Sequence, residues 1–126
     1  MTVRVGFLGA GLIGRHHAAS LGAAPSLGAA TASDRGGPAA AVVSVYDPDT
    51  ERARAFARDF AGGDPAAVAA GVDEVVARSD AVYGCTWTSK HPAPVARVAE
   101  AGRAVFCEKP LAIDLDGARE MVRVVE

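Results

Sequence analysis

Three glycines near the start of the chain could hold a phosphate. Gly9, Gly11 and Gly14 stand in the spacing G-x-G-x-x-G, as Gly9-Ala10-Gly11-Leu12-Ile13-Gly14. The first glycine of such a run permits a tight turn. The second removes a side chain where a pyrophosphate would sit, and the third lets a helix pack closely on the preceding strand. The free N–H groups of the first helical turn then face the anion. The spacing alone is weak, and its context strengthens it. The apolar run Val3-Arg4-Val5-Gly6-Phe7-Leu8 leads straight into the glycines, and a helical pattern leaves them. The plain alternative is a strand-to-helix turn that binds nothing.

Asp47 is the next residue with chemistry to offer. It closes a second apolar run, Val42-Val43-Ser44-Val45-Tyr46. A carboxylate at that strand end can accept hydrogen bonds from adenosine ribose hydroxyls, and it repels a 2′-phosphate. It therefore points to NAD ahead of NADP. It lies further from the glycines than the roughly 20 residues customary for this fingerprint, and residues 22–41 account for the excess. Asp47-Pro48 also suits the N-cap and first position of the next helix. Capping and ribose binding can coexist.

Positioning these residues takes alternating strands and helices. Leu12 to Leu21 reads as the first helix. Residues 22–41 are rich in Ala, Gly, Pro and Ser around Asp34-Arg35-Gly36-Gly37-Pro38. They offer little to pack and read as a mobile surface loop. Ala53, Phe56, Ala57 and Phe60 fall on one helical face. Ala66 to Ala70 is expected to be a short third strand, and Val72 to Arg78 a short helix. Ala81 to Cys85 reads as a fourth strand. His91 to Ala101 is a helix with Val95, Val98 and Ala99 on one side, stopped by Gly102. Ala104 to Cys107 is a fifth strand. Asp114 caps a last helix with Ala118, Met121, Val122 and Val125 facing inward. Repeated β-α units with apolar strands predict an α/β fold, a doubly wound parallel sheet of order 3-2-1-4-5. Residues 1–126 form one such domain.

Composition excludes several classes of partner. The chain has 126 residues, of which 50% are hydrophobic, enough for a single core. Its net charge of -2, without a basic cluster, argues against nucleic acid and anionic membrane. No apolar run approaches the roughly 20 residues of a membrane helix. The N-terminus lacks a signal-peptide layout. Cys85 and Cys107 read as reduced thiols of a cytoplasmic protein. No His/Cys spacing suggests a metal. His16 and His17 read as partly exposed helix positions rather than catalysts.

Three segments carry a resemblance to a known family. They are Gly9-Ala10-Gly11-Leu12-Ile13-Gly14-Arg15-His16, Cys85-Thr86-Trp87-Thr88-Ser89-Lys90-His91 and Cys107-Glu108-Lys109-Pro110-Leu111-Ala112. In this order they resemble the N-terminal half of the GFO/IDH/MocA oxidoreductases, and Glu-Lys-Pro after the fifth strand is the most specific mark. The likeness covers the chain except residues 22–41. It implies an NAD(P)-binding Rossmann fold that serves hydride transfer from a secondary alcohol of a sugar or polyol. Lys109 resembles the lysine beside the nicotinamide and the reacting carbon, where an ammonium can stabilise a developing oxyanion. Glu108 looks like the cofactor-facing acid of that turn, and Pro110 would fix the backbone after it. Thr86, Trp87 and His91 look like the wall beside the nicotinamide and its ribose. Plain alternatives stand beside each: a solvated Lys109, an ordinary strand-to-helix turn, a half-buried Trp87 anchoring the loop, His91 capping the next helix.

The chain also departs from the family pattern. Family members carry a second α/β domain that forms the substrate pocket and often an oligomer interface, with an Asp-x-x-x-His motif supplying the proton acceptor. This sequence runs to Glu126, inside the last predicted helix, without a sixth strand or that motif. It therefore reads as the cofactor-binding half of such an enzyme, expected to bind nucleotide far better than it catalyses. A homo-oligomer is compatible with this reading. A stand-alone dinucleotide-binding module with a sensing or regulatory role is the alternative.

Overall fold

The computed structural model describes residues 1–22 and 39–126. Among these residues four parallel strands make one sheet: β1 (Thr2–Leu8), β2 (Ala39–Tyr46), β3 (Ala81–Gly84) and β4 (Ala104–Cys107), in the order β2-β1-β3-β4. Five helices among the described residues accompany them: α1 (Leu12–Ser20), α2 (Thr50–Phe60), α3 (Val72–Arg78), α4 (Pro92–Glu100) and α5 (Leu115–Val125). Short 3₁₀ turns lie at Pro65–Ala67 and Thr88–Lys90. This is the doubly wound arrangement that the strand and helix periods predict.

Alternation along β1 divides the core between the two faces of the sheet. Val5 and Phe7 join Ala18 of α1 and Ala53, Phe56, Ala57 and Phe60 of α2. The Phe7 ring sits 5.1 Å from Phe56 and 5.0 Å from Tyr83. Burying a side chain of that size contributes about 1.5–3 kcal/mol. On the other face Leu8 meets Val75 and Val76 of α3, Val82 of β3 and Val98 of α4. Gly6 belongs to that second face. A Cβ there would stand 2.3 Å from Ser79 Oγ and 2.5 Å from Val75 Cγ1. Its absence is what seats α3 against β1.

Three expectations need correction. The third strand at 66–70 is only a single parallel bridge, Val45 to Val68, with the Ala69 N–H donating to Val45 O at 2.8 Å. The chain enters it through the Pro65 turn, and proline has no N–H to give a ladder. Residues 39–41, read as loop, pair with Thr2–Arg4 as the start of β2. Backbone pairing along β1 overrides alanine's weak preference for strands. The remainder of that loop expectation, at 23–38, lies outside the described residues. In α5, Asp114 caps as expected by accepting the Gly117 N–H at 2.7 Å, and Met121 is buried. Val122 and Val125 are exposed rather than inward. α5 packs mainly on α4, and β4 is an edge strand, so no described element covers them.

Candidate functional site

The strand register brings the chemistry to one edge. Leu8 pairs with Tyr46 on one side and with Gly84 on the other, and Gly84 pairs with Cys107. The residues that follow, Gly9, Asp47, Cys85 and Glu108, therefore leave the sheet side by side at the carboxyl ends of the strands. Backbone bonds continue the ladder past the ends: Gly9 N–H to Tyr46 O at 2.8 Å, Cys85 N–H to Leu8 O at 2.8 Å and Glu108 N–H to Gly84 O at 2.9 Å. In open α/β sheets this crevice is where ligands bind.

Each fingerprint glycine has its own geometric reason. Gly9 has φ of 97°, and a Cβ on it would lie 2.6 Å from Cys85 O. A Cβ on Gly14 would lie 2.6 Å from Gly9 O, so Gly14 lets α1 pack on the turn. Around a Cβ on Gly11 nothing lies within 4 Å. Gly11 is the N-cap of α1 and gives no side-chain cap to the first turn. The N–H groups there are left for an anion. Leu12 and Ile13 flank this open floor, Leu12 being 88% exposed. The residues present fit a dinucleotide pyrophosphate.

Asp47 is buried to 9% exposure at the adjoining strand end. Its Oδ2 accepts the Ala10 N–H at 2.9 Å, inside the glycine turn, and its Oδ1 accepts the Asp49 N–H at 2.8 Å. The capping alternative for Asp47 is overturned. Asp49 caps α2 instead, accepting the Arg52 N–H at 3.1 Å. Each carboxylate oxygen of Asp47 keeps a second lone pair for a ribose hydroxyl.

A cleft of about 1010 Å³ opens over these groups. Gly9, Gly11, Asp47, Thr86 and Trp87 line it, together with Arg52, which the sequence reading did not single out. Its signal was there to find, since it sits in the first turn of the helix that follows the acidic strand end. Trp87 is 81% exposed at the rim, so the buried-anchor alternative does not describe it. A shallower recess shares Gly11, Thr86 and Trp87 and adds Leu12, Ile13 and His16.

Glu108, Lys109, Pro110 and His91 form a neighbouring turn rather than part of the cleft lining. Glu108 Oε2 lies 2.6 Å from His17 Nε2, and Oε1 accepts the Lys109 N–H at 3.0 Å. The His17 hydrogen bond, followed by that backbone N–H, holds the Glu108 carboxyl below its ordinary range. Lys109 is exposed at the end of β4. His91 is 2% exposed. Its Nε2 faces Thr86 O at 3.0 Å, and its Nδ1 faces both Pro110 O and Leu111 O at 3.1 Å. His91 stands at the N-cap position of α4, where its carbonyl accepts the Val95 N–H at 3.1 Å, but its side chain makes no capping bond. Instead it ties the Thr86 turn to the turn after Lys109. Sequence spacing gave no sign of the His17–Glu108 pair.

A family model described as "Oxidoreductase family, NAD-binding Rossmann fold", the GFO/IDH/MocA family, matches residues 3–126. The chain belongs to that family. It is an NAD-binding Rossmann domain of the GFO/IDH/MocA type. It is 37% identical over 122 residues to inositol 2-dehydrogenase of Cereibacter sphaeroides, covering 97% of this chain and 32% of the relative. It is 38% identical over 124 residues to an inositol 2-dehydrogenase/D-chiro-inositol 3-dehydrogenase of Shouchella clausii, covering 97% of this chain and 32% of that one. Among solved structures, myo-inositol dehydrogenase from Lactobacillus casei, in complex with NAD(H) and myo-inositol, aligns with a TM-score of 0.79 at 32% identity. That alignment covers 98% of this chain and 33% of the solved one. The chain thus spans about a third of the length of the curated relatives it matches. No helix among the described residues is long and apolar enough to cross a membrane.

Proposed function

We propose that this chain is the cofactor-binding part of a cytoplasmic, NAD-dependent dehydrogenase that oxidises a secondary alcohol of an inositol or related sugar. The observation that carries the reading is the open floor at Gly11 beside Asp47. A helix N-terminus free of side chain stands next to a carboxylate already fixed by two backbone N–H groups. Bound NAD supplies the hydride acceptor. Gly11 and the first turn of α1 hold the pyrophosphate, and Asp47 receives the adenosine ribose. Thr86 and Trp87 wall the nicotinamide side, and Leu12 and Ile13 exclude water from the floor. Lys109 would present an ammonium to the reacting alcohol and stabilise negative charge on its oxygen as the hydroxyl proton is given up to a general base, before the C–H hydride passes to the cofactor. The alcohol is assigned to the inositol and sugar class because the similar proteins carry those substrates in their names.

Calorimetric titration of the chain with NADH and NADPH tests the cofactor half of this reading. NADH should bind more tightly, because the Asp47 carboxylate opposes a 2′-phosphate. A preference for NADPH would remove Asp47 from the ribose site, and binding of neither would remove the functional reading.

A further inference from the structure

Glu108 divides its two carboxylate oxygens between two parts of the fold. Oε2 meets His17 Nε2 at 2.6 Å, and Oε1 receives the Lys109 N–H at 3.0 Å. His17 stands on α1, the helix whose first residues floor the pyrophosphate site. It is less than two turns beyond Gly11, roughly 9 Å along the axis at 1.5 Å per residue. Its ring is fixed by aromatic neighbours, 5.0 Å from Phe106 and 5.4 Å from Tyr83. One carboxylate thus joins the helix that opens on the cofactor to the backbone of Lys109. A second tether holds the far side of the same turn, where His91 draws Pro110 O and Leu111 O toward Thr86 O.

We propose that His17 is a positioning residue: through Glu108 it fixes the backbone of Lys109 against α1, and so sets the lysine relative to the nicotinamide end of bound NAD. The inference rests on the functional reading above. The pair keeps 22% and 17% side-chain exposure and joins residues 91 positions apart in the chain. Its main consequence is placement. Helix α1 acts as a ruler. Its N-terminus is read by the pyrophosphate, and its third-last residue before Ser20 is read by the turn that carries the ammonium.

The test uses the chain with two ligands, NADH and ADP-ribose, the second lacking the nicotinamide. The unsubstituted chain should bind NADH more tightly than ADP-ribose, through the Thr86 and Lys109 turns. His17→Phe keeps an aromatic ring against Tyr83 and Phe106 but cannot donate to Glu108. It should leave ADP-ribose affinity unchanged and lower NADH affinity by about tenfold, the scale of one hydrogen bond to a charged group. His17→Gln restores a donor and should recover most of the difference. In ¹H–¹⁵N spectra the Lys109 amide should shift on adding NADH but not ADP-ribose, and should be displaced in His17→Phe. Should His17→Phe not fold, Glu108→Ala removes both hydrogen bonds and should show the same selective loss. Equal weakening of both ligands, an unchanged ratio between them, or failure of His17→Gln to recover the loss would overturn the proposal. So would an unsubstituted chain that binds the two ligands equally. A chain that binds neither ligand before substitution instead overturns the functional reading beneath it, so the two failures are told apart.

Discussion

The glycine turn at Gly9–Gly14 and the turn at Glu108–Pro110 leave the same edge of the sheet, and they are held in opposite ways. The glycine turn is shaped by backbone. Its contacts are Gly9 against Cys85 O, Gly14 against Gly9 O, and the Ala10 N–H bound to Asp47. What matters there is the absence of side chains, and absence at fixed spacing is visible in a sequence. The second turn is shaped by side chains from elsewhere, His17 on α1 and His91 before α4. Its partners lie far apart along the chain, so no local spacing announces them. The first turn should fail by steric intrusion, and the second by loss of a donor.

The largest effect should separate two glycines that look alike in sequence. Gly9→Val places a β-branched residue at φ of 97° and drives its Cβ to 2.6 Å from Cys85 O. It should destabilise the fold by about 3 kcal/mol or more, combining backbone strain with forced displacement of β3's end. Denaturant unfolding measures it. Gly11→Val meets nothing within 4 Å. It should leave the unfolding midpoint nearly unchanged and weaken NADH by about 10- to 100-fold, as forcing a side chain into occupied space costs about 1–3 kcal/mol. If the two variants lose stability equally, the glycine turn is uniformly structural and its binding role fails.

An intermediate effect belongs to Asp47, which serves both the turn and the ligand. Asp47→Ala strands the Ala10 and Asp49 N–H groups, and should cost about 1–3 kcal/mol of stability. Asp47→Asn keeps one acceptor oxygen and removes the charge. It should cost less stability than Asp47→Ala while narrowing the preference for NADH over NADPH. Parallel thermal melts and titrations of the two variants separate the roles. If Asp47→Asn keeps the full cofactor preference, the carboxylate serves the turn alone.

The sheet, both core faces and the glycine cradle were legible because each rests on local pattern. Val5 and Phe7 alternate with Leu8. Ala53, Phe56, Ala57 and Phe60 repeat at helical spacing, and all are buried. What escaped depends on distant partners. Residues 39–41 looked like loop because their side chains carry no strand signal, yet β1 supplies the pairing. Residues 66–70 looked like a strand, but the Pro65 turn leaves room for one bridge. Asp47-Pro48 looked like the cap of α2, yet the geometry gives that role to Asp49, two residues on. Val122 and Val125 followed the apolar period of α5, but burial depends on a neighbour that the described residues do not provide. The family likeness singled out His91 and Glu108 as residues facing the cofactor. It did not reveal that one bridges backbone carbonyls while the other pairs with His17.

The smallest effect is a difference in thiol reactivity, because a cysteine stands at the foot of each turn. Cys85 is buried behind the glycine turn. Burial first, then the charges of Glu108 and Cys107, push its thiol up to about 12. Cys107 is half-buried beside Glu108, and its thiol is also raised, again by burial first and then by Glu108. The thiolate is the reactive form, and each unit of upward shift removes about tenfold of it at neutral pH. A neutral alkylating reagent should therefore label Cys107 before Cys85. Raising the pH should quicken Cys107, since below its pKa a thiol gains about tenfold thiolate per pH unit. Cys85 should quicken too but stay the slower of the two, since it is buried with its thiol pushed up to about 12. Mass spectrometry of labelled peptides over time reads both sites in one sample. Cys85 reacting first would mean that the backbone-shaped turn opens more readily than the turn tied by His17 and His91, reversing the contrast between them.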